Sequence, residues 1–188
     1  MISFKNLNNL SAGRTLVSDD ILEFHAARIL LLILLCGTGD RKRKAPRIKG
    51  LTRLAKLDFF TRYPQHFQKA ALHLGENIEV NLEANESAMI RYHYGPWDER
   101  YYHVLPYLEA KNLVDIVKQS NTYEFYLTEK GKQIAFNIQQ KEEFEELSNE
   151  IEEVNRVFKS YSGNKLKNLI YRLFKEEISE KKLGDIIK

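Results

Sequence analysis

The segment "DERYYHVLPYLEAKNLVDIVKQSNTYEFYLTEKGKQIA", Asp98 to Ala135, decides the fold. Asp98 is placed to cap a helix running to about Lys111, with Tyr101, Leu105 and Leu108 on its inner side. Two β-rich runs follow, "LVDIVKQ" and "TYEFYLT", on either side of the polar pair Ser120 and Asn121, the spacing of a tight hairpin. Thr128 then caps another helix, and Gly131 permits close packing just after the strand.

Working upstream, "GLTRLAKLDFFTRYP" from Gly50 to Pro64 reads as a helix ending before the proline. Its stripe of Leu51, Leu54, Leu57 and Phe60, widened by Ala55 and Phe59, is expected to face a core, with Arg53, Lys56 and Arg62 outward. "ILLLILLC", Ile29 to Cys36, falls well short of the roughly 20 apolar residues of a membrane span. It is expected to be a buried central helix, begun at Ser18, Asp19 or Asp20 and ended by Gly37 and Gly39. "GTGDRKRKAPR" reads as an exposed loop, and "QHFQKAALHLG" as a helix closing at Gly75. Asn77 to Ser87 is polar and ambiguous, whereas "AMIRYHYGPW" reads as extended, with Gly95 and Pro96 making the turn.

Helices followed by a β-hairpin and an exit helix form the pattern of a winged helix. The expected class is therefore α+β, mostly α-helical, with a C-terminal helical extension. Residues 1–20 are expected to be an irregular arm, 21–136 a winged-helix domain with a basic loop at 40–49, and 137–188 helices packing on that domain or on a partner.

Charge is unevenly distributed. Between Arg41 and Lys69 the single acid is Asp58 among ten Lys and Arg, of which Arg41, Lys42, Arg43, Lys44, Arg47, Lys49, Arg53 and Lys56 are the candidate DNA contacts. Such a run follows a phosphate backbone without reading bases. The helix before the hairpin mixes Asp98, Glu99 and Glu109 with Arg100, His103 and Lys111, which suits protein docking at least as well as base readout. One long helix is expected from Thr128 to about Ser160. In it Phe144, Leu147, Ile151, Val154 and Phe158 follow spacings of 3, 4, 3 and 4, a heptad-like seam beside seven glutamates. Packing against the chain's own "LIYRLF" is the favoured reading, since Leu166, Leu169, Ile170 and Leu173 offer a matching stripe, and docking on another protein is the other, for which these five residues are the candidate partner-binding surface.

No enzyme is expected. "CGTGDRKRK" lacks the Gly-Lys-Ser/Thr ending of a phosphate loop. None of His25, His66, His73, His93 and His103 pairs at the one-turn spacing of a zinc protease, and Cys36 is the single cysteine, so neither metal nor other cofactor is expected. A lone buried thiol fits a reducing, cytoplasmic setting.

"LTRLAKLDFFTRYP", "IRYHYGPWDERYYHVLPYLEAKNLV", "YEFYLTEKGKQIA" and the tail "SGNKLKNLIYRLFKEEISEKKLGDII" together resemble the winged-helix middle components of bacterial ABC three-component systems. That group includes the small accessory subunit of Lamassu-type antiphage complexes. The resemblance spans most of Ile21 to Lys188. It implies a non-catalytic subunit joining an SMC-like or ABC-type ATPase to an effector such as a nuclease, helping to sense foreign double-stranded DNA. No catalytic residues carry over. A free-standing homodimeric transcription regulator is the alternative.

Overall fold

The computed structural model describes residues 21–82 and 88–187. The candidate caps Ser18, Asp19 and Asp20, the expected arm and part of the Asn77–Ser87 stretch lie outside them.

α1 (Leu22–Cys36) runs through the centre, with Ile29 to Ile33 wholly buried, as its apolar run dictates. The chain then forms β1 (Thr38–Asp40) and β2 (Ala45–Lys49), followed by α2 (Leu51–Arg62) and α3 (Pro64–His73), with Pro64 in the first turn of α3. A small hairpin of β3 (Ile90–Tyr92) and β4 (Gly95–Trp97) leads into α4 (Tyr101–Ala110). The main hairpin, β5 (Val114–Gln119) and β6 (Thr122–Leu127), precedes α5 (Glu129–Gln139), α6 (Glu145–Phe158) and α7 (Gly163–Leu173). The class is α+β, and the main sheet is antiparallel in the order β1-β2-β6-β5.

Several expectations hold. Ser120, at φ 53°, and Asn121 turn the main hairpin. Thr128 caps α5 by accepting the Gly131 N–H at 2.9 Å. A Cβ on Gly131 would overlap the Leu113 carbonyl, which explains the glycine where the exit helix meets the strand. Cys36 is buried, and desolvation pushes its thiol up to about 12.

Others are corrected. The basic "loop" 40–49 is a hairpin, because Ala45 and Ile48 bury their side chains and β2 hydrogen-bonds along β6. The β3–β4 turn falls at His93 and Tyr94, with Gly95 and Pro96 already paired in β4. α4 begins at Tyr101, later than expected and with no side-chain cap at Arg100; Asp98 accepts the Arg100 backbone N–H at 2.9 Å just ahead of it, and its carboxylate also takes the Arg62 and Arg100 guanidiniums. The long helix breaks at Gln140 and Lys141, and a 3₁₀ turn, Glu142–Phe144, leads into α6. Gln139 to Glu143 offer no apolar side chain to bury, and a straight helix could not lay both halves against α1. The break also lets Phe144 stack on Phe24, centroids 6.0 Å apart.

The seam of Phe144, Leu147, Ile151, Val154 and Phe158 is therefore not a docking surface. Phe144 is half-buried, and the other four are core residues packed on α1 and α2, with Phe158 stacked on Phe60 at 4.6 Å. Residues 137–187 accordingly pack on the chain itself, in a core that runs from Ala26 to Ile187.

α2 is the clearest departure. Its buried residues run unbroken from Arg53 to Arg62, so there is no polar face. Asp58, with no exposure, accepts from Arg28 Nε at 2.7 Å and from the Tyr101 hydroxyl at 2.5 Å, with Arg62 Nη1 at 3.5 Å. Arg62 Nη1 also reaches Asp98 at 2.7 Å, and Asp98 is gripped by Arg100. His25 lies between the Arg28 and Arg100 guanidiniums, at 2.9 and 2.7 Å. Burial alone would push the Asp58 carboxyl up, but Arg28, Arg62 and Tyr101 outweigh it and hold the group below the usual carboxylate range. Asp58→Asn leaves the shape and removes the charge, taking from the buried Arg28 the carboxylate that its Nε reaches at 2.7 Å and from Arg62 one of its two carboxylates, Asp98 remaining. We expect it to lower unfolding free energy by about 3–5 kcal/mol in urea titrations, several times the effect of Asp115→Asn on the exposed Arg43 pair.

Candidate functional site

The cations predicted to contact DNA separate into three environments. Arg41, Lys42, Arg43 and Lys44 are exposed together on the β1–β2 turn. Asp40 holds that turn by accepting the Lys42 and Arg43 N–H groups at 3.0 and 2.8 Å, and Lys44 takes the left-handed conformation, φ 49°, that closes it. Arg43 lies over the Tyr126 ring at 4.6 Å and pairs with Asp115 at 3.2 Å. Arg41 and Lys42 have no acidic partner among the described residues.

Arg47 and Lys49 follow on β2. Arg47 Nη1 is tied to Asp40 at 2.9 Å, Glu124 at 2.8 Å and the Tyr126 hydroxyl at 2.8 Å. The Tyr126 hydroxyl, with Arg47 and Lys49, holds the buried Glu124 carboxyl below its ordinary range. Much of the Arg47 charge is thereby compensated within the sheet. Lys49 is exposed and sits 3.6 Å from the same carboxylate.

Arg53 and Lys56 are corrections. Both were expected outside, and both are buried, at 7% and 0% exposure. Lys56 Nζ donates to the Pro96 carbonyl at 2.7 Å beneath β4 and does not reach the surface. Desolvation, reinforced by Arg91 and Lys167, lowers its pKa to about 7. Arg53 instead lines a groove of about 670 Å³ between the β5–β6 turn, the start of α2 and the α6–α7 connection.

Sequence reasoning missed this groove. Lys159, Tyr161 and Asn164 come from one side, Tyr123 and Thr122 from another, and Gly50 and Thr52 from a third. Gly163 lets the α6–α7 backbone close on α2, since a Cβ there would lie 2.8 Å from the Arg53 nitrogen. The trace in the sequence is small: a glycine just ahead of a cation-bearing helix in "IKGLTR", and another in "KSYSGN", more than a hundred residues away.

Elsewhere Glu79, Glu142, Glu145 and Glu146 line an acidic hollow of about 380 Å³, so the polarity seen in the sequence persists in the fold. Among the described residues no three His, Cys, Asp or Glu side chains converge as a metal group, and no helix is long and apolar enough to cross a membrane. The site can hold anions through an exposed cationic turn and a partly enclosed basic groove. Comparison with protein-family models, curated proteins and solved structures found no match.

The lowered Lys56 pKa fixes the sign of a pH effect. Between about 7 and the ordinary lysine value near 10.4, the unfolded chain keeps a proton that the folded chain has released. Stability therefore rises with pH across this window. In paired urea titrations the wild type should gain on Lys56→Met by up to roughly 1.4 kcal/mol per pH unit above pH 7. A difference that stays flat from pH 6 to 10 would mean that Lys56 keeps its ordinary pKa.

Proposed function

We propose that the chain is a non-catalytic accessory subunit of winged-helix type, working in the cytoplasm within an SMC-like or ABC-type ATPase complex, in antiphage or anti-plasmid defence. In this reading it docks the ATPase and an effector subunit and contacts double-stranded DNA through its backbone. The winged-helix assignment is supported by the order β2-β6-β5: the strand between the first two helices lies beside the returning strand of the hairpin, with α4 just ahead of it.

The observation that carries the DNA reading is the exposed turn Arg41–Lys44, in which Arg41 and Lys42 have no acidic partner among the described residues. Cations on a hairpin tip neutralise phosphates at little cost in desolvation. α4, which would enter the major groove of a base-reading protein, exposes Glu109 along with His103, and Glu99 is exposed in the turn just ahead of it. That mixture favours contact without sequence readout over the free-standing regulator. With the α6 seam consumed in the core, docking falls to large side chains left outside it, among them Leu72, Tyr102 and Phe136, each more than half exposed.

Replacing Arg41, Lys42, Arg43 and Lys44 together with Ala is expected to weaken binding to unrelated duplexes alike, by tenfold or more at low salt. The slope of log K against log salt should become shallower by about 2–4. Fluorescence anisotropy at several salt concentrations reads both quantities. Unchanged binding would remove DNA contact from the reading. Affinity purification of the tagged protein from its own cells tests the other half: an ATPase subunit should come with it, and recovery of the protein alone with one discrete DNA fragment would support the regulator.

A further inference from the structure

We propose that the groove between the β5–β6 turn, the start of α2 and the α6–α7 connection seats a phosphate group, with Arg53 as its buried counter-charge. The seat stands apart from the DNA-contact reading, which concerns the exposed turn.

The first observation is Arg53 itself. Its side chain is more than nine-tenths buried, and it forms no ion pair with any described carboxylate. Its Nε has no hydrogen-bond partner, and Nη2 reaches only the Lys159 carbonyl at 3.4 Å, a long bond. Burial lowers its pKa, and the ionisable neighbour acting on it is Cys36, whose own thiol stays protonated. A guanidinium held out of water without a counter-ion is a costly arrangement that an anion would relieve. The contrast within α2 is direct, because Arg62, at the other end of the same helix, has two carboxylates.

The second observation is what surrounds Arg53. The groove floor is the N-terminus of α2, a helix of 12 residues with no side-chain cap and no acid in its first turn. Its first backbone N–H groups and its positive dipole end favour an anion. α7 also begins at the rim and also lacks an acid in its first turn. Lys159, exposed, and Lys49, 3.6 Å from Glu124, add cations, and no residue lining the groove is acidic. At about 670 Å³ the space accepts something larger than a bare phosphate, and Tyr123 and Tyr161 are among the residues that line it.

The test is a titration of the full-length protein with pyrophosphate, followed by amide and aromatic NMR at constant ionic strength. Leu51, Thr52 and Gly163 amides should shift together and saturate, and chloride at matched ionic strength should not reproduce the effect. Arg53→Met should weaken binding roughly tenfold or more while leaving the unfolding midpoint unchanged or raised, since it removes an uncompensated buried charge. Lys159→Ala, at an exposed position, should weaken binding several-fold and serves if Arg53→Met fails to fold. A parallel titration with a nucleoside diphosphate separates the sources of the phosphate. Tighter binding with shifts of the Tyr123 or Tyr161 ring signals identifies a nucleotide, and equal affinity a free phosphate; either supports the seat. Absence of saturable shifts, or unaltered binding in a folded Arg53→Met or Lys159→Ala protein, overturns it. The quadruple Ala variant of Arg41 to Lys44 should bind pyrophosphate normally, so failure of the seat and failure of the DNA reading are distinct results.

Discussion

Asp58, wholly buried in the middle of α2, is the constraint on which the rest of the structure turns. Its carboxylate joins Arg28 of α1, Arg62 of its own helix and the Tyr101 hydroxyl of α4, and Asp98 with Arg100 extends the network to the start of α4. Charges removed from water are tolerable only when each finds its partner in good geometry. A small rotation of α2 would strand several at once. The network therefore acts on specificity as much as on stability: it selects one orientation of α2 against α1 and α4 where an apolar stripe alone would accept several.

That orientation determines what the other end of the helix can do. With Arg62 and Asp58 locked inward, the first turn of α2 is carried to the groove beneath the β5–β6 turn, and Arg53 with it. One helix thus holds two kinds of buried guanidinium. Arg62 is compensated and structural, whereas Arg53 is uncompensated and faces a space large enough for a ligand. Gly163 belongs to the same design, because only a residue without a side chain lets the α6–α7 connection close over the helix start.

The surface divides the remaining charge. The β1–β2 turn projects four cations from the sheet edge, while the acids of the 3₁₀ turn and α6 gather around a hollow of their own. Tyr126 and Glu124 anchor the base of the cationic hairpin through Arg47, so the strand is rigid where it joins the sheet and its charged tip is presented on a fixed stem. Presentation of charge on a rigid strand suits contact with an extended polyanion, and a partly enclosed groove suits a single anionic group.

The sequence by itself determined the elements whose cause is local. Ser120 and Asn121 turn the main hairpin, Thr128 caps α5, Gly131 fits beneath Leu113, and the apolar run of α1 is buried, because turn chemistry, capping and hydrophobic length act between near neighbours in the chain. The basic turn was legible for the same reason. The tertiary structure decided which charges are buried, where the long helix breaks and what the α6 seam packs against. Arg28 meets Asp58 across 30 residues, Arg62 meets Asp98 across 36 and Lys56 meets the Pro96 carbonyl across 40. A helical pattern reads Arg53, Lys56 and Arg62 as a solvated face because the pattern carries only the residue's own polarity. Whether a cation is buried depends on partners or a groove that exist only after distant segments have packed.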